Sequence, residues 1–185
     1  MKTIYFRILA ITCLLLVQLN AHSDDMGISV QQMNTLLQED RANIVFIDVR
    51  DPVEIMFIGF TDEVDTNIPY LMVDRNKWDK DKKRFKLFKN PAFIADIEKV
   101  LEKKKLNHDA LIVTMCRSGS ERGKPSAEYL RKHGFPNAKY VIHGFQGSKR
   151  KEGPKKGFRI ENGWQNSGLP WQAKPNPEKI YRKSM

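Results

Sequence analysis

The chain contains 185 residues, of which 41% are hydrophobic and 29% charged, and it carries a formal net charge of +10. This length suits a single domain with its own hydrophobic core and is too short for two domains of ordinary size. The positive charge is compatible with an anionic partner, but the sequence lacks a basic stripe with interleaved aromatic residues, so nucleic-acid binding is not expected.

The first 21 residues have the layout of a secretory signal peptide. Lys2 and Arg7 form a short basic region, residues 8–17 are almost entirely apolar, and small residues occur at positions 21 and 23. The apolar run is too short to span a bilayer comfortably. We therefore expect a signal peptide over residues 1–21, a periplasmic or secreted protein, and no stable membrane association after cleavage. A retained membrane anchor is the alternative interpretation.

The predicted mature protein contains a single cysteine. The chain has two cysteines, and Cys13 lies within the predicted signal peptide. The mature protein would therefore contain only Cys116, which has no partner for an internal disulfide although an oxidising compartment favours one. A single thiol in an exported protein is either a buried structural residue or a free reactive group.

The next elements alternate between helix and strand. Residues 29–38 predict a helix, with Ser29 as N-cap and Gln32 in the capping-box position. Residues 43–49 form a short apolar run that is typical of a buried parallel strand. Asp51 and the proline after it then predict the start of a second, short helix.

The middle of the chain is less regular. Residues 67–73 predict a second strand, and a proline places its start at an edge or bend. Residues 74–89 are polar and are expected to form a long loop, in which the densest basic part, residues 80–89, is interpreted as a solvated surface. Asn90 then precedes a helix with one apolar face.

The second half of the chain repeats the alternation. Residues 110–115 predict a third strand, a helix follows from residue 124 to residue 132, and residues 140–142 predict a fourth strand. After a Gly-rich surface loop, residues Gly163, Trp164, Leu169 and Trp171 are expected to fold back onto the core, and residues 173–185 are expected to form a loose tail. Strands that alternate with helices predict an α/β domain with a parallel sheet.

Cys116 lies where a predicted buried strand ends and a helix begins. In parallel α/β sheets, functional sites form beyond the carboxyl ends of the strands. Small residues in the following loop allow several N–H groups to turn inward, and the helix dipole and Arg117 or Arg122 add positive charge. Such an arrangement stabilises a thiolate, a persulfide or a bound oxyanion. Cys116 is therefore interpreted as a nucleophile, with Glu121 directed outward.

The sequence CRSG and the arginine that follows it, at the end of a predicted strand, resemble the active-site loop of rhodanese sulfurtransferases. Residues 47–54 (IDVRDPVE), 141–147 (VIHGFQG) and 162–171 (NGWQNSGLPW) resemble further segments of exported single-domain members of that family. The resemblance extends over residues 29–171. It implies a rhodanese-like three-layer domain over residues 22–172, in which helices flank a parallel sheet.

The resemblance also implies an activity similar to that of thiosulfate sulfurtransferases. Cys116 would accept a sulfane sulfur from a donor such as thiosulfate, form a persulfide, and pass the sulfur to an acceptor thiol or cyanide. Asp48 and Arg50 would support the loop through a buried polar network. The implied partners are a small sulfur-containing anion or a low-molecular-weight thiol, and a protein sulfur acceptor is a further candidate. The implied active-site loop comprises Arg117, Ser118, Gly119, Ser120, Glu121 and Arg122.

The length of the loop departs from the family pattern. Five residues separate Cys116 from Arg122, whereas the common single-domain rhodanese loop has four. C-x5-R is the spacing of cysteine phosphatases, and residues 120–123 (SERG) resemble the loop ending of the cell-cycle dual-specificity phosphatases, which share the rhodanese fold. A cysteine phosphatase or arsenate reductase is therefore an alternative function, although no general acid is evident. A non-enzymatic persulfide carrier or thiol sensor is the second alternative.

The sequence indicates neither a metal site nor a cofactor. Its Cys, His and carboxylate residues do not have the spacing of a metal site. It also contains no Gly-rich dinucleotide-binding motif and no P-loop. We therefore expect the chemistry to depend on the Cys116 loop alone.

Overall fold

The structure is a computed structural model that describes residues 26–182 of the chain. The predicted signal peptide lies outside the described residues. Within residues 26–182, no helix has the length and apolar character needed to cross a membrane. The elements in chain order are β1 (Gly27–Ile28), α1 (Val30–Asp40), β2 (Ile44–Asp48), α2 (Pro52–Ile58), β3 (Thr66–Asn67), β4 (Leu71–Asp79), β5 (Arg84–Lys89), α3 (Phe93–Lys104), β6 (Leu111–Met115), α4 (Gly123–Lys132) and β7 (Lys139–Val141).

The main sheet is parallel, in the order β1-β7-β6-β2-β3. Its longest ladder joins β2 to β6, from the pair Ile44 and Leu111 to the pair Asp48 and Met115. All five residues of β2 are buried, as expected for a strand covered on both faces. The predicted α/β class is therefore confirmed.

Helices cover the sheet on both faces and make it a three-layer structure. One core cluster joins α1 and α2 to one face, with Met33 and Ile55 fully buried. The other cluster joins α3 and α4 to the opposite face, with Ile97 and Leu130 fully buried. The strands β2 and β6 are neighbours in the sheet. From β2 the chain passes through α2 to β3 at one edge, whereas from β6 it passes through α4 to β7 in the direction of the opposite edge. A crevice therefore opens at the carboxyl ends of β2 and β6, where ligands bind in open parallel sheets.

The first two helices begin as their sequences predict. At α1, the Ser29 hydroxyl accepts from the Gln32 amide at 3.1 Å, and the Gln32 side chain accepts from the Ser29 amide at 2.9 Å. At α2, the Asp51 carboxylate accepts from the Val53 amide at 2.9 Å, and a proline occupies the first turn. These caps satisfy amides that have no partner within their helices.

The segment after β3 differs from its prediction. Only Thr66–Asn67 joins the main sheet, and the predicted loop over residues 74–89 is instead an antiparallel hairpin of β4 and β5. Near its tip, the rings of Trp78 and Phe85 meet edge to face, with centroids 5.4 Å apart. Many lysines and a register shift after Asp74 hide the alternation of apolar residues that would have indicated two strands.

The C-terminal segment is attached to the domain, not loose as predicted. The Lys179 ammonium donates to the carbonyl oxygens of Asp62 at 2.5 Å and Val64 at 2.9 Å. The Lys179 carbonyl accepts from the Asn67 amide at 2.7 Å, on the outer side of β3. Of the tryptophans predicted to return to the core, Trp164 is fully buried, whereas Trp171 is 44% exposed and that part of the prediction is wrong. The Pro-rich and charged composition of the C-terminal segment gave no indication of the hydrogen bonds that Lys179 makes to the domain.

Candidate active site

Cys116 follows β6 directly and lies in the crevice at the carboxyl edge of the sheet. Only 1% of its surface is exposed. A Cβ atom built on Gly123 would lie 3.4 Å from the Cys116 sulfur, so the sulfur lies against the first turn of α4. The amide dipoles of a helix N-terminus favour a negative charge at this position.

The loop after Cys116 is attached to the segment that follows β7. The Cys116 carbonyl accepts from the Phe145 amide at 2.7 Å. The Arg117 carbonyl accepts from the amides of Gln146 at 2.8 Å and Gly147 at 3.1 Å. These carbonyls therefore point away from the interior of the loop, which removes negative partial charges from it.

The backbone amides of the loop are free to donate hydrogen bonds to a ligand. Within the part of the chain that the structure describes, none of the backbone amides of residues 117–122 donates to a protein acceptor. Gly119, at φ +82°, reverses the backbone, and the hydroxyls of Ser118 and Ser120 lie 3.3 Å apart. Consecutive amides in such a turn form a nest that binds an anion. The residues predicted to form a cradle therefore lie in a turn of this kind, and anion binding by them stays a prediction.

Arg122 closes the loop and is held by a carboxylate from α2. Its Nη1 and Nη2 donate to the two Glu54 oxygens at 2.7 and 3.1 Å. Its Nε is buried and has no hydrogen-bond partner in the structure. Burial opposes the charged form, but the hydrogen bond and charge of Glu54, together with the charge of Cys116, raise the Arg122 pKa above its ordinary value. Arg122 is therefore a permanent cation close to Cys116.

Glu121 points away from the loop interior, in the direction predicted from the sequence. Its carboxylate pairs with Arg84 of β5 at 2.5 Å, and its side chain is 44% exposed. The Arg84 hydrogen bond lowers the Glu121 pKa, although partial burial opposes that shift. Glu121 therefore connects the active-site loop to the hairpin.

Asp48 and Arg50 form a fully buried ion pair behind the loop, with Nη2 and Oδ2 2.5 Å apart. Arg50 also donates to the Gly59 carbonyl at 3.1 Å, and its guanidinium carbon lies 4.2 Å from the centre of the Phe145 ring. Because the Phe145 amide donates to Cys116, the ion pair reaches the loop through this aromatic residue. The proposed supporting role of Asp48 and Arg50 is thus indirect in this geometry.

Two further arginines contact the segment after β7 that holds the loop. Arg117 donates from Nε to the Gln146 side chain at 2.8 Å, and Arg159 donates from Nη1 to the Gly147 carbonyl. Burial, followed by the charge of Arg117, lowers the Arg159 pKa, while Glu54 and Cys116 act in the opposite direction. The sequence analysis missed Arg159, since it lies 43 positions from Cys116 in a segment with no recognisable motif.

An apolar groove adjoins the loop between α2 and the hairpin. Its volume is about 400 Å³, and the charged side chains at its rim include Glu121 and Arg122. Within residues 26–182, no cluster of His, Cys, Asp and Glu could hold a metal ion. The apolar side chains that line the groove are Val53, Phe57, Leu71, Val73, Phe85 and Leu87.

Comparison with known proteins supports the fold described above. The family model of the rhodanese-like domain matches residues 29–151. The crystal structure of Rv0390 from M. tuberculosis has a TM-score of 0.56 and 26% identity, and the match covers 80% of this chain and 96% of that chain. No curated protein matches the chain in a sequence comparison. The fold predicted from the sequence is therefore confirmed.

Two other solved structures match with lower scores. An uncharacterized protein from Saccharomyces cerevisiae has a TM-score of 0.42 and 20% identity, with coverage of 66% of this chain and 88% of that chain. The polysulfide-sulfur transferase homodimer from Wolinella succinogenes has a TM-score of 0.42 and 23% identity, with coverage of 80% of this chain and 77% of that chain.

Proposed function

This chain belongs to the rhodanese-like domain family, and from that premise we propose that it is a sulfurtransferase that carries a sulfane sulfur as a persulfide on Cys116. Family membership supports a sulfurtransferase-type function. The observation that carries the proposal for Cys116 is that its sulfur lies at the N-terminus of α4, beside a loop whose amides donate to no protein acceptor in the described chain.

In the first step, the Cys116 thiolate attacks the outer sulfur of a donor such as thiosulfate. A new S–S bond forms on the enzyme while the S–S bond of the donor breaks. The electron pair of the broken bond leaves with sulfite. The enzyme then holds a persulfide anion, so the negative charge moves outward by one sulfur and is never lost. The loop amides and Arg122 stabilise that charge before and after transfer.

In the second step, a thiophilic acceptor attacks the outer sulfur of the persulfide. With cyanide as acceptor, the products are thiocyanate and the Cys116 thiolate, so the site is restored without a proton transfer. The second step therefore needs no general acid, which suits the surroundings of the loop. Each nearby carboxylate is already engaged: Glu54 with Arg122, Glu121 with Arg84, and Asp51 with the amides of Val53 and Val73.

The engagement of these carboxylates also distinguishes the proposed sulfur transfer from phosphatase chemistry. A cysteine phosphatase must protonate the leaving alkoxide or phenoxide with a general acid. The C-x5-R spacing and the Glu54–Arg122 pair favour binding of a tetrahedral oxyanion, so this alternative has its own structural support. Because Glu54, Glu121 and Asp51 all accept other hydrogen bonds, we propose oxyanion binding without phosphate-ester turnover.

The proposal is tested by intact-mass measurement of the mature protein after incubation with thiosulfate. We expect one added sulfur, about 32 Da, on the wild type and none on Cys116→Ser, followed by loss of that mass and release of thiocyanate when cyanide is added. The protein should show no turnover of an aryl phosphate. An unmodified wild-type mass, or aryl phosphate hydrolysis that requires Cys116, would contradict the proposal. A persulfide that forms without turnover by any acceptor would instead indicate a carrier.

A further inference from the structure

We propose that Arg159 and Arg117 form an anion-binding subsite outside the Cys116 loop, which binds the oxyanion end of a dianionic sulfur donor. This inference rests on the proposed function, because it assigns the part of the donor that does not become attached to Cys116. The subsite lies where the segment after β7 meets the active-site loop.

The charges around the loop leave two arginines without a carboxylate. Arg122 is paired with Glu54, Arg84 with Glu121 and Arg50 with Asp48. In the described part of the chain, neither Arg117 nor Arg159 pairs with a carboxylate. Their hydrogen bonds go to the neutral Gln146 side chain and the Gly147 carbonyl. These two side chains therefore carry positive charge that is not paired with a carboxylate among the described residues.

The two guanidinium groups are anchored on neighbouring residues. Gln146 accepts from Arg117 through its side chain and also donates its amide to the Arg117 carbonyl. Gly147 donates its amide to that same carbonyl and accepts from Arg159 through its own carbonyl. Both arginines are thus fixed to the backbone that holds the loop. Their positions relative to Cys116 are therefore set by the fold.

Arg159 also has an unused donor. Its Nε is buried and has no hydrogen-bond partner among the described residues. A buried donor without a partner costs free energy, which a bound anion would recover by accepting from it. The Arg159 Nη1 bond to the Gly147 carbonyl places the guanidinium beside the backbone that holds Arg117, since the Gly147 amide donates to the Arg117 carbonyl.

The proposed reaction requires such positive charge. When the Cys116 thiolate meets thiosulfate, three negative charges come together, and after sulfur transfer the same three charges are divided between the persulfide and sulfite. Arg122 and the loop amides act on the transferred sulfur. Arg117 and Arg159 would act on the sulfonate end, which lies further from the loop and becomes the leaving group. Their charge lowers the repulsion between two anions that have to react.

A first experiment tests the subsite without any turnover. We compare the alkylation rates of Cys116 by iodoacetate, an anion, and by iodoacetamide, which is neutral and of similar size. Arg159→Gln should reduce the ratio of the iodoacetate rate to the iodoacetamide rate by about fivefold, the effect expected from removing one charge at a partly solvated site. Arg150→Gln is the matched control, because Arg150 belongs to the same segment but pairs with the exposed Glu161.

Two results of the alkylation experiment would overturn the proposal. An unchanged ratio in Arg159→Gln would show that its charge does not act on an anion at Cys116. An equal loss with both reagents would show that Arg159 merely holds the loop through Gly147. This readout does not depend on sulfur transfer, so it remains decisive for the subsite even if the wild type proves unable to accept sulfur from thiosulfate.

A second experiment uses the donors themselves. We expect Arg159→Gln to lower kcat/KM for thiosulfate about tenfold, mainly through KM, and to have a smaller effect with benzenethiosulfonate, which carries one charge fewer. Arg159→Lys should recover part of the loss, because it restores the charge. Equal losses with both donors, or a loss that Arg159→Lys does not recover, would contradict the assignment of the oxyanion end to Arg159.

Discussion

Gly119 determines the shape of the Cys116 loop at the residue scale. Its φ of +82° lies in the left-handed region, which residues with a Cβ rarely adopt. A Cβ at this position would also lie 2.9 Å from the His143 amide nitrogen and 3.0 Å from the Val141 carbonyl oxygen. Backbone atoms of the neighbouring segment therefore limit this position to glycine.

Gly119→Ala tests this restriction. We expect a loss of about 1–3 kcal/mol in the free energy of unfolding and at least a tenfold slower formation of the Cys116 persulfide, because the loop must move away from its neighbour. Urea unfolding and intact mass measure the two effects. Gly157→Ala is the matched control: its φ is +88°, but nothing lies within 4 Å of the added carbon. Equal effects in the two variants would mean that backbone strain alone matters.

The buried pair of Asp48 and Arg50 makes a second prediction at this scale. Asp48→Asn would leave the Arg50 charge uncompensated in surroundings that exclude water, at a cost of about 3–5 kcal/mol in the free energy of unfolding. Asp96→Asn removes one member of a pair whose Lys99 is 73% exposed, and it should cost far less. Chemical denaturation measures both. Similar losses would contradict the role given to burial.

At the scale of elements, the hairpin is joined to the active-site loop through Arg84 and Glu121. The folded state lowers the Glu121 pKa below its ordinary value of 4.5. A lowered pKa stabilises the fold at pH values above the ordinary one, and that stabilisation is lost as the pH falls through the folded-state pKa. The link between hairpin and loop should therefore weaken in acid.

Glu121→Gln makes this pH dependence measurable. We expect the variant to be less stable than the wild type by at most about 1 kcal/mol at neutral pH, since both side chains are partly exposed. The difference should shrink as the pH falls below the ordinary glutamate value of 4.5 and disappear below the lowered folded-state pKa. Thermal unfolding across this pH range gives the comparison. Glu63→Gln, which removes a carboxylate outside the ion pairs of the described chain, should show no such trend. A difference that persisted in acid would rule out the Arg84 interaction as its cause.

The sequence predicted the elements whose apolar residues follow a regular period. The strands β2 and β6, the helices α1 and α3, and the caps at Ser29 and Asp51 could all be predicted because their signals are local. The hairpin could not, since its lysines obscure the alternation of apolar residues. The strand β1 is too short, at two residues, to give any period.

The residues of the candidate site likewise include some that local sequence patterns predict and some that only the fold brings together. Cys116 and its loop were predicted because strand end, small residues and helix start are contiguous in the sequence. Glu54 lies in a segment that carries the family resemblance, but its pairing with Arg122 spans 68 residues and is visible only in the fold. Arg159 belongs to a segment without periodicity. Its position depends on a hydrogen bond to Gly147 that local patterns do not indicate.

At the scale of the whole molecule, the topology locates the site. Because α2 and α4 leave neighbouring strands in opposite directions, residues from both can meet above the sheet. Glu54 comes from α2 and Arg122 from the residue before α4, and their ion pair spans the crevice. The Cys116 loop is thus supported by both halves of the domain.

The attachment of the C-terminal segment makes the last prediction. Removal of residues 173–185 should reduce the free energy of unfolding by about 3 kcal/mol, because it deletes several hydrogen bonds worth about 1 kcal/mol each and uncovers core contacts of Ile180. Lys174→Ala, at an exposed position of the same segment, should have little effect. Urea unfolding decides between attachment and a loose tail, since a loose tail predicts no change in either protein.

The bond from the Asn67 amide to the Lys179 carbonyl has a consequence beyond stability. A parallel sheet ends in a strand with unpaired amides and carbonyls, which offers a template for a strand from another molecule. Here the C-terminal segment occupies the outer side of β3, and at the opposite edge β1 presents only two residues. Residues 173–182 therefore cover this edge, and we expect their removal to favour self-association through β3.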